Sequence, residues 1–268
     1  MVTLRDLQAL IIDMDGVLYR GNTAVPGAGE FVAWLTERSF PFVLVTNNST
    51  LDAWAYEKRL AAMGIGVPAS SILTSGVATA DYVARNYGRG TRVLMVGESG
   101  LESALSERGL VITERDPDVV VVGLDRQFTY DRLRQAALAI RAGAAFVATN
   151  PDRTLPTEAG EVPGAGAIVA ALVAATDVAP VVIGKPEPPM LEMALARLGQ
   201  ARERTGVLGD RLETDILGGQ RLGLPTILVL SGVTGQAPGP DCEVCPTWVY
   251  ESVRELLAGW RAALGRGA

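Results

Sequence analysis

Four consecutive valines, Val119–Val122, set the tone of this chain, and similar runs recur along it. Leu10–Ile12, Phe42–Val45, Val93–Val96, Phe146–Ala148, Val181–Ile183, Val207-Leu208 and Thr226–Leu230 are each apolar at nearly every position, and Ile72-Leu73 is a shorter case. A strand that reads apolar throughout has both faces buried, the habit of parallel sheets rather than of half-solvated antiparallel ones. Helical spacing fills the intervals at Gly27–Arg38, Leu51–Met63, Tyr130–Ala142, Gly166–Ala175, Pro189–Leu198, Thr214–Leu222 and Tyr250–Leu264. Strand and helix in alternation predict an α/β fold with mainly parallel sheets. A chain of 268 residues admits one or two domains and buries an ample core without disulfides.

Composition narrows the chemistry. The chain has no histidine, which excludes a Ser-His-Asp or Cys-His device and any zinc site that needs imidazole. Lys+Arg is 24 against 30 for Asp+Glu, a net charge of −6, so no basic stripe for nucleic acid is expected. The two cysteines, Cys242 and Cys245, form a lone C-x-x-C, short of the four ligands of structural zinc. They read as small residues near the Pro- and Gly-rich loop Gln236–Pro246, with a redox pair as the alternative that the lack of a thioredoxin-type βα turn disfavours. The longest apolar stretch, Ala165–Ala175, falls well below the ~20 residues that span a bilayer. The opening segment carries Arg5 and Asp6 and shows no signal-peptide core, so a soluble cytoplasmic protein is expected, with no membrane partner.

Four strand ends carry polar residues suited to one task. The first runs Ile11-Ile12-Asp13-Met14-Asp15-Gly16, two carboxylates where an open α/β sheet binds its ligands. Paired carboxylates suit a hard cation such as Mg²⁺, and Gly16 allows a tight turn after them. A calcium loop is excluded, because Ala24 stands where the twelfth-position glutamate would be. The second is Val45-Thr46-Asn47-Asn48-Ser49, a hydroxyl and two amides able to meet an anion. The third is Ile183-Gly184-Lys185-Pro186, where proline restrains the lysine. The fourth is Leu208-Gly209-Asp210, with Asp215 at the start of the next helix. Placed on the strand ends of one sheet, these groups would form an anion-plus-metal site.

These residues resemble the haloacid dehalogenase superfamily of aspartate-nucleophile hydrolases. Asp13-Met14-Asp15-Gly16-Val17 is similar to its first motif, and Thr46, Lys185 and Asp210 with Asp215 to the other three. Gly123-Leu124-Asp125, Thr149-Asn150-Pro151-Asp152 and Pro163-Gly164-Ala165-Gly166 bring the chain nearer one subfamily. That subfamily holds NagD-type sugar and nucleotide phosphatases, 4-nitrophenylphosphatases, and phosphoglycolate and pyridoxal phosphatases. The resemblance implies a doubly wound, Rossmann-like parallel-sheet core of residues 1–78 and 182–268, with an inserted α/β cap, 79–181, that selects substrate.

The resemblance also implies a mechanism and its residues. Asp13 would attack phosphorus and form an aspartyl-phosphate. Asp15 would protonate the leaving oxygen and then deprotonate water. Thr46, Asn47 and Asn48 would bind phosphate oxygens, and Lys185 would neutralise the transferring group. Mg²⁺ would be held by Asp13, Asp210 and the backbone carbonyl of Asp15, with Asp215 positioning Lys185 or a metal-bound water. Leu155, in the cap loop that also contains Arg153, would make the leaving-group side apolar. The expected partner is a small phosphorylated metabolite, and the family suggests a homodimer through the cap. Two alternatives share the fold: a phosphotransferase, and a phospho-ligand-binding protein without catalysis. Pro163–Ala170 contains a G-x-G start, Gly164-Ala165-Gly166, but follows no buried strand, so it reads as a helix allowed to pack closely rather than a dinucleotide site.

Overall fold

The computed structural model of the chain describes residues 2–157, 160–239, 241 and 243–265. It divides into two compact units. One comprises Met1–Thr46, Trp54–Leu73 and Leu191–Ala268, and the other Asn47–Ala53 and Thr74–Met190.

The first unit is built on a six-stranded parallel sheet, in the order Trp248–Tyr250, Thr226–Val229, Thr205–Gly209, Ala9–Asp13, Phe42–Thr46, Ile72–Thr74. Every residue of Ala9–Asp13 is buried, as its unbroken apolar run predicts. Its register is set on both sides, Ile11 facing Val207 on one and Val43 on the other. The chain grows outward from Ala9–Asp13 in one direction, then returns to its other flank with Thr205–Gly209. Sheets of this kind bind ligands outside the carboxyl ends of the strands at such a reversal.

Helix Ala28–Glu37 shows why the layers hold. Ala28, Phe31, Val32 and Leu35 repeat at helical spacing and are all buried. Its Trp34 ring lies 5.5 Å from Trp260 of helix Val253–Gly265, and Phe40 meets Trp260 edge-on at 5.3 Å. Each fully buried Leu or Phe of this kind contributes roughly 1.5–3 kcal/mol relative to exposure.

The second unit carries a separate five-stranded parallel sheet, in the order Val181-Val182, Ala145–Ala148, Val119–Val122, Arg92–Val96, Val111-Ile112. Side chains alternate across it. Leu94, Val96, Val120, Val122, Phe146 and Ala148 pack with Ala136 and Ile140 of helix Tyr130–Arg141 and with Ile168 and Leu172 of helix Ala165–Thr176. Val93, Val119, Val121 and Val147, on the opposite face, are equally buried. An antiparallel hairpin, Thr154–Thr157 with Gly160–Pro163, also belongs to this unit.

One expectation needs correction. Lys185 does not follow a strand of the same sheet as Asp13. It follows Val181-Val182, which pairs with Val147 and Ala148 at an edge of the five-stranded sheet. The run Val181–Ile183 contains only two strand residues, and local sequence does not say which sheet so short a strand joins. Among the described residues no helix is long and apolar enough to cross a membrane. Cys242 lies outside the described residues; Cys245 is exposed, and its carbonyl accepts a hydrogen bond from Gln220 Nε2 at 2.8 Å.

Candidate active site

In the first unit three acids converge. Asp13 ends the strand Ala9–Asp13, Asp210 follows Thr205–Gly209, and Asp215 sits in the single π-helical turn Leu212–Ile216. All three are buried, and one carboxylate oxygen from each lies within 4.8 Å of the others. The parallel pairing of the two strands, Ile11 opposite Val207 and Ile12 opposite Leu208, brings their carboxyl ends side by side. Three like charges this close, away from water, repel strongly unless a cation neutralises them. Hard oxygen donors at this spacing fit a divalent metal ion.

The surrounding backbone is shaped to this cluster. Val233 N–H donates to Asp210 Oδ2 at 2.6 Å, and Arg211 N–H to Asp215 Oδ2 at 3.1 Å. Gly16 has a φ of +79°, which L side chains rarely adopt, and its carbonyl accepts from Ser231 Oγ at 2.7 Å. A Cβ on Gly16 or on Gly232 would overlap the Asp210 carboxylate. The loop Ser231–Thr234 is a site element that the motif reading missed. Its signal was present, an apolar strand, Thr226–Val229, running soon after into Ser-Gly in the same sheet.

Asp15 is not one of the three clustered carboxylates. It stands on the loop beyond Asp13, and its backbone bridges to Tyr19. Its side chain reaches solvent, yet enough protein surrounds it that partial desolvation raises its carboxyl above the ordinary carboxylate value. The guanidiniums of Arg59, Arg211 and Arg20 and the Gly16 N–H oppose that rise. Burial also pushes the Tyr56 phenol up to about 12, with the neighbouring Thr46 hydroxyl opposing it, so Tyr56 stays protonated at neutral pH. Thr46 ends the strand Phe42–Thr46 and is buried.

In the second unit Asn47 and Lys185 are joined. Asn47 Oδ1 accepts from the Lys185 N–H at 2.9 Å, and Asn47 Nδ2 donates to the Lys185 carbonyl at 2.9 Å. The amide side chain thus pairs with the lysine backbone as a neighbouring strand would. The same Nδ2 faces both carboxylate oxygens of Asp152, at 3.2 and 3.1 Å. The Asn47 carbonyl accepts from Ser75 Oγ at 2.5 Å and from Asn150 Nδ2 at 2.7 Å. The Asn47 side chain therefore organises the loops carrying Lys185 and Asp152. Asn48 Oδ1 accepts from the Thr50 N–H and Oγ1, at 2.9 and 2.7 Å, and so shapes the turn into the next helix. Lys185 itself is buried.

Replacing Asn47 by alanine leaves the buried Lys185 N–H and carbonyl without these partners. At roughly 1–3 kcal/mol for each orphaned group, urea unfolding should show a loss of about 3 kcal/mol. A change below about 0.5 kcal/mol, the size of an ordinary surface substitution, would mean that the pairing contributes nothing to stability.

Leu155 is half-buried on the hairpin strand Thr154–Thr157, opposite Val162, and Arg153 is exposed. The small residues of the Gly164-Ala165-Gly166 run are used within the unit. A side chain on Gly164 or Gly166 would strike the Asp152 or Pro151 carbonyl, and the Gly166 N–H donates to the Asp152 carbonyl at 2.8 Å. Asn150, Asp152 and Ser75 were not singled out as site residues from sequence. The first two lie in the Thr149-Asn150-Pro151-Asp152 motif that carries part of the family resemblance, which gives them no role of their own.

Comparison with known proteins accords with this geometry. Residues 10–111 match the family model described as haloacid dehalogenase-like hydrolase, and residues 182–256 match a second, HAD-hydrolase-like model. The acid sugar phosphatase of Staphylococcus saprophyticus is 39% identical over 255 residues, which are 95% of this chain and 98% of the relative. The crystal structure of a 4-nitrophenylphosphatase from Thermotoga maritima has a TM-score of 0.88 at 37% identity, covering 95% of this chain and 98% of that one. NagD from E. coli K-12 has a TM-score of 0.86 at 38% identity, covering 93% and 98%. With near-complete coverage, this level of identity and an acid cluster at the sheet's reversal point, the chain belongs to the haloacid dehalogenase-like hydrolases, in the branch that contains NagD and the 4-nitrophenylphosphatases.

Proposed function

We propose that the chain is a Mg²⁺-dependent phosphatase that acts on small phosphomonoesters, sugar phosphates foremost, by way of an aspartyl-phosphate on Asp13. The observation that carries this reading is the buried trio Asp13, Asp210 and Asp215 at the carboxyl ends of adjacent strands. The substrate class draws support from the relatives, one an acid sugar phosphatase and one a 4-nitrophenylphosphatase.

An Asp13 carboxylate oxygen attacks phosphorus, and the leaving alcohol oxygen takes a proton from Asp15. Water then gives a proton to Asp15 and attacks the phosphoryl group, releasing inorganic phosphate and regenerating Asp13. Thr46, the Asn47 N–H and Asn48 bind phosphate oxygens, and Lys185 offsets their negative charge. Asp13, Asp210 and the Asp15 carbonyl hold the metal ion, with Asp215 as a supporting carboxylate. When bound, Mg²⁺ supplies charge neutralisation for the attacking carboxylate and the phosphoryl oxygens.

Residues 79–181 act as a substrate-selecting cap on a core of 1–78 and 182–268, with Leu155 presenting an apolar contact to the leaving group. The pairing of two chains through this cap, proposed on the family resemblance, would be refuted by a monomer in light scattering at micromolar concentration.

The test is phosphate release from a panel of sugar phosphates, nucleoside monophosphates, phosphoglycolate and 4-nitrophenyl phosphate, with Mg²⁺ and with EDTA. Release that needs Mg²⁺ and favours sugar phosphates is expected. No release from any member would overturn the phosphatase reading, and undiminished release in EDTA would overturn the metal dependence.

A further inference from the structure

The loop that bears Asp15 is followed at once by a very short hairpin, Tyr19-Arg20 paired with Thr23-Ala24. Loop and hairpin are one piece of backbone. The Gly16 N–H donates to the Tyr19 carbonyl at 2.7 Å, the Leu18 N–H to the Met14 carbonyl at 2.8 Å, and Asp15 bridges to Tyr19. Two-residue strands do not hold a position by themselves, because an isolated hairpin is marginal even when longer. Something outside the hairpin must fix it.

Arg59, on helix Ala53–Ala62, grips it at two points. Its guanidinium carbon lies 4.8 Å from the centre of the Tyr19 ring, and Tyr19 is almost wholly buried. Its Nη2 donates to the Gly21 carbonyl at 2.6 Å, at the hairpin turn, and stands 3.5 Å from Asn22 Oδ1. Its Nε is buried and makes no hydrogen bond. Burying that donor is costly, so the contacts to Tyr19 and Gly21 must offset it.

We propose that Arg59 is a positioning residue: seated on the Tyr19 ring and bonded to the Gly21 carbonyl, it holds the 19–24 hairpin and, through it, the backbone of Asp15. Its catalytic consequence rests on the phosphatase reading above. The arrangement is scaffolding within one chain, of the kind that keeps a proton donor in register with a reacting oxygen.

Arg59→Met keeps the apolar stem and removes the charge and the donors. Hydrogen exchange should show the amides of 19–24 exchanging about tenfold faster or more, the signature of losing a charge-assisted hydrogen bond. With 4-nitrophenyl phosphate, kcat should fall about tenfold while KM stays within about twofold, since binding groups are untouched. Arg59→Lys, which restores charge over the ring but not the planar fork, should recover part of both losses. It also carries the test should the methionine variant fail to fold, then showing protection and kcat below wild type. Unchanged protection in Arg59→Met overturns the proposal, and so does lost protection with wild-type kcat. If the wild type releases no phosphate, it is the phosphatase reading that fails, and the exchange experiment still decides the clamp.

Discussion

Asp13→Asn should lose phosphate release by at least about 10⁴-fold, the scale seen when a nucleophile is removed from a covalent mechanism. Asparagine matches aspartate in shape, so the strand Ala9–Asp13, buried along its whole length, has no reason to move. What is lost is the anionic oxygen that attacks phosphorus. The same substitution has a second consequence that a structural defect would not produce. Asp13 is one of three buried carboxylates whose oxygens lie within 4.8 Å of one another. Two unit charges about 4 Å apart repel by about 4 kcal/mol at an effective dielectric constant near 20. Removing one charge relieves that repulsion, so in EDTA the variant should melt at the wild-type temperature or above it. Adding Mg²⁺ should then raise the melting temperature of the wild type more than that of the variant. Phosphate release at the wild-type rate would remove Asp13 from its role. A variant that melts well below wild type in EDTA would instead point to a structural defect.

The parts of the site that could be read from sequence share one property: each is an apolar run followed by a short polar word. Asp13, Thr46 and Asp210 all stand at ends of strands in the six-stranded sheet, as their motifs predict. The α/β alternation was equally legible, and helices such as Ala28–Glu37 and Tyr130–Arg141 fall within a residue or so of their apolar spacing. Helix Ser99–Glu107 escaped notice because nine residues give too few turns for a clear period. Helix Ser75–Tyr87 escaped because its buried face is made of Ser, Gly, Ala and Thr, with Val83 its one larger apolar residue. Nor does local sequence reveal pairing between distant segments. The tie between Asn47 and the Lys185 backbone links residues 138 apart, and the Arg59 grip on Gly21 spans 38. The segment Thr214–Leu222 shows a third limit. It reads as one helix, but the π-helical turn Leu212–Ile216 precedes a short helix, Leu217–Arg221. The Ile216 N–H reaches back five residues to the Arg211 carbonyl at 3.2 Å, and Asp215 Oδ2 takes the Arg211 N–H. That widened turn accompanies Asp215 into the acid cluster, and a period of 3.6 residues cannot foretell it.

Gly232→Ala should weaken the metal site without replacing any ligand. Gly232 is not held at a positive φ, so alanine meets no backbone strain there. Its added methyl would nevertheless overlap the Asp210 carboxylate. That carboxylate has little freedom to retreat, because the Val233 N–H holds its Oδ2 at 2.6 Å and the backbone of Gly16 closes the other side. Asp210 must therefore rotate or the Ser231–Thr234 loop must shift, and either change moves an oxygen out of the cluster. Disturbing the partners of a metal ligand commonly costs about 10–100-fold in affinity, and that is the loss expected in calorimetric titration with Mg²⁺. Activity should fall with it at low Mg²⁺ and recover in part as Mg²⁺ is raised, since the nucleophile and the proton donor are unaltered. Gly235→Ala is the control, three residues on, where a methyl would meet nothing within 4 Å. Wild-type metal affinity in Gly232→Ala would show that Asp210 is no metal ligand. An equal loss in Gly235→Ala would show that the loop tolerates no side chain at all, and that the overlap with Asp210 is not the cause.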